Sequence, residues 1–532
     1  MVESVGTVSD CHKIGDRIDC DGHPGTVCYI GPVIDTNGLW LGIDWDDPAR
    51  GKHNGTYHDV EYFKTILPTS GSFVRPGKVK TGISCLDAIR QRYGLVDDEL
   101  AGVDRDKLFI LKREIHAPFL EMVGFSKVNK KQSAFDQLKV VWLRDQLVSS
   151  AGVPGELLEL CPNVRELDIS KNLINSWRIV ADICIQLKKL ERLDVSENLL
   201  PTKIDVDLNA FANVNQLVMT RMNYDWSDIE WCSSLFPALR VLYVPFNSAR
   251  VLREPLENSS LTQLVDLSLE GNNLSDWDEV LKLGNLLSLE NLNLNSNKIE
   301  RVKFFCDDGE EKTKSFPKLR QLHLSKNCIT EWRSISELEK LNNLEDLKLR
   351  DNPVFDNEKL TTTRDLIIAR ISKLKLLNGE EIIREERNGA EYVYLKTFDE
   401  EWKNIADSDE CQKKEFIENH PRYLSLIKKC GITEFPSSTK FSTEMKSDVI
   451  TVEFVSSNVE SKVQNVKRKI MKDMNVQKVM GLVQRIFKIS GKIPTLLLIP
   501  SNRPNDEIPL DKFLQELSYY SIQDGDKIIV HW

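Results

Sequence analysis

A short phrase of residues recurs along the middle of the chain at a nearly constant interval. Its form is Leu-x-Leu-x-x-Asn, and the copies that keep the asparagine end at Asn172, Asn198, Asn247, Asn272, Asn297, Asn327 and Asn352. Degenerate copies end at Gln146 and Met222, and successive copies lie about 25 residues apart. A unit of this size cannot bury its apolar face alone, so neighbouring units must stack. The chain therefore predicts a curved solenoid that begins near residue 138.

The inside and the outside of this solenoid follow from the spacing within each copy. The two apolar residues alternate along a short strand and point into the core, and the asparagine is expected to bond to the backbone of the next coil. After Asn272 and Asn327 apolar residues recur every third position, which predicts helical or 3₁₀ turns on the convex side. The pattern resembles a leucine-rich repeat. It indicates an α/β solenoid in which the asparagine and tryptophan positions are structural.

Strand residues that point away from the core would form the concave face, where a solenoid usually meets its partner. Aromatic and arginine side chains on that face favour a protein partner. The candidates are Trp142, Arg221, Tyr243 and Phe246. The alternative is that these side chains only cover a solvated surface. Residues 353–395 resemble the cap that ends many leucine-rich arrays, so the array and its cap are expected to cover residues 138–400.

The N-terminal part of the chain is rich in glycine and in aromatic residues. Eight of the 26 glycines lie between Gly25 and Gly77, and Tyr29, Trp40 and Phe73 are interleaved with them. Glycine permits tight turns and close backbone approach, and aromatic rings supply large, stiff contact areas. The pattern resembles a CAP-Gly domain, a small β fold, over residues 8–80. The resemblance implies a shallow groove that binds acidic C-terminal tails ending in an aromatic residue, notably the tail of α-tubulin.

The same resemblance assigns the residues of the groove. The family's Gly-Lys-Asn-Asp-Gly loop matches positions 51–55, and nearby aromatic residues form the walls. The expected tail-binding residues are Trp40, Gly51, Lys52, His53, Asn54, Gly55 and Phe73. His53 and Asn54 replace the asparagine and the aspartate of the family, which changes the hydrogen-bonding geometry and removes a negative charge.

Charge and cysteine content limit the partners and the compartment. The chain of 532 residues has a net charge of −10, which argues against nucleic acid as the main partner. Residues 62–80 differ, because they carry Lys64, Arg75, Lys78 and Lys80 and no acidic residue, a pattern that favours steering of an acidic tail. The alternative is a solvated basic loop. The 11 cysteines form no Cys-x-x-Cys pair and no apolar run could span a membrane, so we expect a protein of the cytoplasm and the cytoskeleton.

The remaining segments predict two connections and a further domain. Residues 81–137 are expected to be a partly helical linker, some of which packs against the array. Residues 401–446 are expected to be a second linker, with some helix around Phe416–Lys429. The C-terminal elements are expected at Val449–Val455 (strand), Val463–Ile489 (helix), Thr495–Ile499 (strand) and Lys527–Val530 (strand). This order resembles the β-grasp of ubiquitin-like domains over residues 447–532, without the terminal Gly-Gly of conjugated relatives. The fold is therefore expected to be multidomain.

The chain carries no convincing motif for catalysis. Residues 71–78 resemble a phosphate-binding loop, but the glycines are one residue too far apart and Val79 replaces the hydroxyl that would hold magnesium. A possible zinc set, on predicted strands of the glycine-rich module, consists of Cys20, His23, Cys28, His53 and His58. Because these residues fall on predicted strands of the groove module, we expect them not to bind a metal. Without a catalytic motif, we expect a binding protein with no enzymatic activity and no cofactor.

The order of CAP-Gly domain, leucine-rich array and ubiquitin-like domain resembles the tubulin-folding cofactor E family (tubulin-specific chaperone E). The resemblance implies a co-chaperone that holds the tail of α-tubulin in the groove and its body on the array. It would act with other tubulin-folding cofactors in assembly or dissociation of the tubulin heterodimer, and so affect microtubule organisation. Two alternatives stay open: a microtubule-associated scaffold without folding activity, and a ubiquitin-pathway adaptor whose C-terminal domain docks on the proteasome or on a ubiquitin receptor.

Overall fold

The structure, a computed structural model, describes most of the chain in separate ranges. The described residues are 12–94, 134–306, 312–356, 360–406, 410–430, 449–457, 465–472, 474–489, 494–501, 503, 506–513 and 515–532. The chain divides into two compact units, Met1–Thr433 and Glu434–Trp532. No helix in the described ranges is long and apolar enough to cross a membrane.

The first unit begins with a five-stranded antiparallel sheet. Its strands, in the order β6-β3-β2-β1-β7, are β1 Arg17–Cys20, β2 His23–Pro32, β3 Leu39–Trp45, β6 Gly71–Val74 and β7 Lys80–Thr81. A separate hairpin joins β4 Thr56–Tyr57 and β5 Val60–Glu61. One face of the sheet carries the buried side chains of Val27 and Ile43 in a small core. A bulge between Val27 and Tyr29 turns Tyr29 to the opposite, open face.

A short segment connects this sheet to the array. β8 Ile83–Ser84 pairs in parallel with β10 Val148–Ser150, and α1 Cys85–Tyr93 follows at once. Helix α1 begins at Ser84, whose side-chain oxygen accepts the backbone N–H of Asp87. Its residue Ile89 is fully buried in the core of the array. This part of the segment predicted as a linker caps the array, and residues 95–133 of that segment lie outside the described ranges.

The array is built on parallel strands in matching register. These strands are β9 Val140–Trp142, β11 Glu166–Asp168, β12 Arg192–Asp194, β13 Gln216–Val218, β14 Val241–Tyr243, β15 Asp266–Ser268, β16 Asn291–Asn293, β17 Gln321–His323 and β18 Asp346–Lys348. The convex side carries α2 Glu156–Leu160, α3 Trp177–Cys184, α4 Trp226–Ser234, α5 Trp277–Leu281 and α6 Trp332–Glu337. Leu242 and Leu267, like the other repeat leucines, are fully buried. The solenoid predicted from the repeat is confirmed.

The repeat asparagines join each coil to the coil before it. Their Nδ2 groups donate to carbonyls of the preceding coil over 2.7 to 3.0 Å. Asn247 shows the pattern, since it donates to Met219 and its Oδ1 accepts the N–H groups of Met222 and Tyr224 at 2.9 and 3.2 Å. The predicted direction of these bonds, toward the next coil, is wrong. The asparagine follows its own strand, and the carbonyl beside it belongs to the residue just after the strand of the earlier coil.

Helices close the C-terminal end of the array. β19 Leu376–Leu377 and β20 Glu380–Glu381 end the sheet, accompanied by α7 Leu360–Arg370 and α8 Arg384–Ala406. Two more helices, α9 Glu410–Asn419 and α10 Tyr423–Cys430, fall in the segment predicted as the second linker. Buried Glu391 of α8 holds this region by ion pairs with Arg422 at 2.7 Å and with Lys429 at 2.5 Å. Residues 410–430 therefore extend the cap.

The second unit is a β-grasp. Its sheet, in the order β22-β21-β25-β23-β24, and its helix consist of β21 Val449–Ser456, β22 Asn465–Met471, α11 Val476–Phe487, β23 Thr495–Ile499, β24 Ile508–Pro509 and β25 Lys527–His531. The helix predicted for Val463–Ile489 is wrong in its first part, because residues 465–471 form β22, antiparallel to β21. Val466 and Ile470 lie four residues apart, a spacing that fits one face of a strand as well as of a helix. Helix α11 begins only at Asn475, whose side chain accepts the N–H of Lys478.

Candidate functional site

Phe73 lies at the centre of a group of rings on the open face of the N-terminal sheet. The rings with centroids within 6.3 Å of its own belong to Tyr29, His53, Tyr57, Tyr62 and Phe63. The closest is the imidazole of His53, at 5.1 Å, and the four others stand edge-to-face to Phe73. In that arrangement the positive edge of one ring meets the negative face of the next. We call these six side chains the aromatic cluster.

Backbone features of the neighbouring strands make room for the aromatic cluster. Gly42 of β3 stands opposite Phe73 of β6, and a Cβ at Gly42 would lie 2.4 Å from the ring of Phe63. The bulge in β2 places Tyr29 opposite the same glycine. Because Gly42 has no side chain, three rings can converge on one point of the sheet.

The loop of residues 51–55 borders the aromatic cluster. The backbone N–H groups of Lys52 and His53 both donate to the carbonyl of Gly71, at 2.7 and 3.1 Å. These bonds tie the loop to the start of β6, two residues before Phe73. The side chain of Lys52 is exposed at the edge of the cluster. A lysine therefore stands beside a rigid aromatic surface.

Steric contacts require glycine at both ends of this loop. Gly55 has φ +93°, a conformation that favours glycine, and a Cβ there would lie 1.9 Å from the carbonyl oxygen of Phe63. A Cβ at Gly51 would lie 2.0 Å from the carbonyl oxygen of Thr69. Both positions accept only glycine in this backbone, which explains the spacing of the motif.

His53 and Asn54 each make a bond to the backbone two residues ahead. Nδ1 of His53 accepts the N–H of Gly55 at 3.0 Å, so the neutral ring carries its proton on Nε2. Oδ1 of Asn54 accepts the N–H of Thr56 at 3.2 Å, as asparagine and aspartate do in turns. Burial, together with the charge of Lys52, lowers the pKa of His53 below its ordinary value. At neutral pH the ring is uncharged and keeps its Nε2–H as a donor.

Trp40 and Arg75 form a second wall on the same face of the sheet. Trp40 lies two residues before Gly42 on β3, so it shares the open face with Phe73. The guanidinium carbon of Arg75 lies 3.7 Å from the centroid of the Trp40 ring. The indole Nε1 donates to Oγ1 of Thr36 at 2.8 Å, which fixes the orientation of the ring.

The basic residues near the groove differ in availability. Arg75 is stacked on Trp40, whereas Lys64 and Lys78 are exposed; Lys80 is also exposed but lies on β7, at the opposite edge of the sheet from Phe73. Lys64 lies 4.0 Å from Glu61, an exposed pair that holds it only weakly. The positive charge that an approaching ligand meets therefore comes mainly from lysines.

The sequence named Phe73 and His53 but missed most of the rings around them. Tyr29 and the pair Tyr62–Phe63 stand in the glycine-rich stretch, so their proximity to the loop was a usable signal. The bulge that turns Tyr29 to the open face has no such signal. Tyr57 precedes a short turn and reaches Phe73 only through the hairpin of β4 and β5.

The residues with zinc-ligand chemistry do not converge. Cys20 and His23 are paired across β1 and β2, His53 lies in the aromatic cluster, and His58 packs on Tyr57. Over the ranges that the structure describes, no three His, Cys, Asp or Glu side chains are grouped to hold a metal ion.

On the array, two of the four candidate residues are in contact. Arg221 and Phe246 occupy equivalent positions of successive repeats, and the guanidinium carbon lies 4.7 Å from the ring centroid. The Phe246 ring packs over Gly271, where a Cβ would lie 2.4 Å from it, and the side chain is 41% exposed. Tyr243 lies just before Phe246, on β14, and its hydroxyl donates to Oδ2 of Asp266 at 3.1 Å. These residues form a patch of cationic and aromatic character.

Trp142 lies apart from that patch. It occupies the same register position as Tyr243 but on β9, and it is 59% exposed. Four strand spacings of about 4.8 Å place it about 19 Å from Tyr243. The aromatic candidates therefore mark two separate points along the array.

Comparisons with known proteins cover nearly the whole chain. A CAP-Gly domain family model matches residues 14–79, and a leucine-rich repeat family model matches residues 257–406. Tubulin-specific chaperone E of Danio rerio is 36% identical over 98% of this chain and 99% of its own length. Tubulin-specific chaperone E of Homo sapiens is also 36% identical, over 98% of both chains.

One solved structure is similar to the C-terminal unit in sequence. The solution structure of the C-terminal ubiquitin-like domain of mouse tubulin-specific chaperone e is 32% identical, covers 17% of this chain and 93% of that chain, and has a TM-score of 0.15. The two full-length relatives confirm the resemblance drawn from the order of the domains, because their identity extends over nearly all of both sequences. The chain belongs to the tubulin-specific chaperone E family.

Proposed function

We propose that the protein is a tubulin-folding co-chaperone that binds α-tubulin at two points. The groove beside Lys52 takes the acidic C-terminal tail, and the concave side of the array takes the body of the subunit. Together with other tubulin-folding cofactors, the protein acts in assembly or dissociation of the αβ-tubulin heterodimer and so affects microtubule organisation. It works by binding rather than by catalysis, in the cytoplasm and at the cytoskeleton.

The observation that carries this proposal is the aromatic cluster with an exposed lysine at its edge. An acidic tail that ends in an aromatic residue matches the site in both respects. Its ring can pack against Phe73, and its carboxylates can accept hydrogen bonds from Lys52 and from Nε2–H of His53. A hydrogen bond to a charged group contributes about 1.5–3 kcal/mol. The names of the full-length relatives support tubulin as the partner.

Two contacts with one partner strengthen each other. Once the array holds the tubulin body, the tail meets the groove at an effective concentration of about 1 mM. If the groove alone binds the tail with a dissociation constant of about 1 µM, this tether strengthens binding about a thousandfold, or roughly 4 kcal/mol. A shallow groove is therefore sufficient for a stable complex.

Size-exclusion chromatography with purified tubulin tests the proposed activity. A co-chaperone is expected to form a complex with soluble α-tubulin and to change the amount of intact heterodimer when other tubulin-folding cofactors are added. A microtubule-associated scaffold would instead sediment with polymer and leave soluble heterodimers intact. That second outcome would contradict a role in folding while leaving tubulin binding in place.

The patch on the array gives a prediction for the body of tubulin. We expect Tyr243→Ala to lower the affinity for tubulin without its tail about tenfold, because aromatic residues beside an arginine are typical binding hot spots. Tyr243→Phe keeps the ring and loses only the bond to Asp266, so its affinity should stay within about threefold of the wild type. Surface plasmon resonance measures both. Equal binding by Tyr243→Ala and the wild type would move the contact elsewhere on the array.

A second role is favoured by the C-terminal unit, for which we propose docking on the proteasome or on a ubiquitin receptor. On the outward face of its sheet the half-buried side chains of Leu497 and Ile529 stand opposite each other. Exposed Lys467 and Lys527 lie on either side of Glu453, which is 3.6 Å from Lys527 and leaves this rim with a net positive charge. A small apolar patch with a basic rim suits an acidic amphipathic partner. Immobilised proteasomes should retain the full chain and not a form without residues 434–532. Equal retention of the two forms would remove the support for this role.

A further inference from the structure

A single residue joins the CAP-Gly sheet to the array. β7 ends at Thr81, where it is paired with Ile18 of β1. β8 begins at Ile83, where it is paired with Val148 of the array. Gly82 alone lies between these two hydrogen-bonded strands. Because successive Cα atoms are about 3.8 Å apart, the free connection spans at most about 7 Å.

Gly82 is itself packed against the array. A Cβ at this position would lie 2.3 Å from Cβ of Ser149 and 2.6 Å from the carbonyl oxygen of Leu147. The N–H of Ile83 donates to that same carbonyl at 2.8 Å. Ser84 then starts helix α1, whose apolar residues are buried in the core of the array. The backbone at the joint is therefore held by packing and hydrogen bonds to the array.

A second contact opposes rotation about the joint. Nδ2 of Asn175, in the array, donates to the carbonyl of Gly15, in the turn before β1, at 2.9 Å. The N–H of Gly15 donates to the carbonyl of Val27 at 2.8 Å, so this turn is bonded to the sheet. Sheet and array belong to one compact unit. Two attachments restrain the orientation of the sheet more than the joint alone.

We propose that the groove and the concave side of the array form one binding surface of fixed geometry, set by the joint at Gly82. The joint is on β7, at one edge of the sheet, and Phe73 is on β6, at the other edge. Four strand spacings of about 4.8 Å separate the two edges by about 19 Å. The groove therefore lies at a set distance from the joint at which the array begins.

Fixed geometry adds selectivity to the proposed function, on which this inference rests. A groove on a long flexible tether could capture the acidic tail of any nearby molecule. A groove held at one distance and orientation favours the tail of the subunit whose body the array already holds. The surface therefore fits a partner that presents an acidic tail and a folded body together.

Distance measurements test the geometry without a ligand. Spin labels at exposed Lys64 and Lys326, introduced as non-natural residues in the full chain, report the separation of sheet and array by double electron–electron resonance. We expect one narrow distance distribution. An insertion of about ten Gly and Ser residues between Thr81 and Gly82 forms a flexible linker with a root-mean-square end-to-end distance of about 17 Å. This insertion should broaden the distance distribution. A broad distribution in the wild type would overturn the proposal.

A matched control separates the joint from the insertion itself. The same insertion between Glu254 and Pro255, in an exposed loop of the array, should leave the distribution narrow. In binding assays the insertion at the joint should not change the affinity for an acidic tail peptide or for tubulin without its tail. It should weaken binding to tubulin that carries its tail at least fivefold. Equal affinity of both insertion variants for that tubulin would also overturn the proposal.

Failure of the underlying function would give a different result. If the wild type bound neither the tail peptide nor tubulin, the proposed function would be wrong. The distance distributions would then still decide whether the joint at Gly82 fixes the groove relative to the array.

Discussion

His53 has two tasks in the groove loop, and they use different nitrogen atoms. Nδ1 accepts the N–H of Gly55 and so holds the loop, whereas Nε2–H is left for a ligand. Asparagine at this position could also accept that N–H through its side-chain oxygen. The difference is that imidazole can take up a proton within the physiological range and asparagine cannot. The replacement therefore makes the loop sensitive to pH.

The direction of this pH effect follows from the lowered pKa of His53. Because the folded pKa lies below the unfolded value of about 6.5, the unfolded loop binds more protons, and the stability from His53 is lost as pH falls below about 6.5. We expect hydrogen exchange in the peptide that contains Gly55, corrected for intrinsic rates, to speed up between pH 7.5 and pH 5.5. His53→Asn should remove this change, and His58→Asn should keep it. The same pH response in His53→Asn would contradict the assignment.

Lys52 and Trp40 give the most direct test of the groove. We expect Lys52→Ala and Trp40→Ala each to weaken binding of an acidic peptide with an aromatic end at least tenfold. The first loses a charge-assisted hydrogen bond, and the second loses the wall on which Arg75 stacks. Isothermal titration calorimetry measures the affinities. Lys13→Ala, at an exposed position before β1, removes the same charge and should bind normally; unchanged affinity in both groove variants would reject the groove assignment.

At the scale of elements, a repeated pattern predicted structure better than a single one. The array could be derived because its leucine and asparagine positions recur in many copies, so chance agreement with another period is small. The sequence predicts a helix where β22 lies, because Val466 and Ile470 fit both the helical and the strand period. Only pairing with β21 decides between them. Some helix is predicted around Phe416–Lys429, where α9 ends and α10 lies. Its place in the cap is not predicted, since ion pairs from Arg422 and Lys429 to distant Glu391 hold it there.

The sequence predicts the groove only in part, because some of its contacts join residues that are distant in sequence. Residues 51–55 could be found as a contiguous motif, and Phe73 and Trp40 by resemblance. The rings of Tyr29 and Tyr57 join the cluster through a bulge and a hairpin, which no local pattern encodes. The sequence predicts only that Arg75 belongs to a basic patch, because its stacking on Trp40 depends on the pairing of β3 with β6. Long-range pairing is the information that a short sequence pattern lacks.

The repeat asparagines give a prediction about the stability of the array. Asn247→Ala leaves the carbonyl of Met219 and the N–H of Met222 without these bonds inside the core. We expect a loss of about 2–4 kcal/mol in the free energy of unfolding, because buried polar groups lose their partners. Asn213→Ala removes one exposed bond to Lys188 and should cost less than about 1 kcal/mol. Urea denaturation measures the free energy of unfolding of both variants. Equal losses would show that the repeat asparagines do not stabilise the array more than an exposed asparagine does.

For the whole molecule, the division into two units separates the proposed activities. The groove, the array and its cap lie in Met1–Thr433, and the β-grasp lies in Glu434–Trp532 with a core of its own. Both proposed tubulin contacts thus belong to the first unit. A role of the second unit in protein turnover would act on a client that the first unit has bound.

Removal of the second unit tests this separation. We expect the chain without residues 434–532 to bind tubulin with an affinity within about twofold of the full chain, because both proposed contacts remain. Sedimentation or surface plasmon resonance with purified tubulin measures the change. A large loss of affinity would show that the β-grasp itself contributes to tubulin binding.

Because each repeat asparagine bonds to the coil before it, the coils of the array complete their hydrogen bonds in order during synthesis. Each coil that leaves the ribosome brings the asparagine that satisfies the coil made before it. Helix α1 is translated ahead of the coils that it covers, so the first end is shielded early. The growing end stays open until residues 360–406 emerge, and an open apolar end invites aggregation. The nascent chain is therefore most vulnerable just before its own cap is translated.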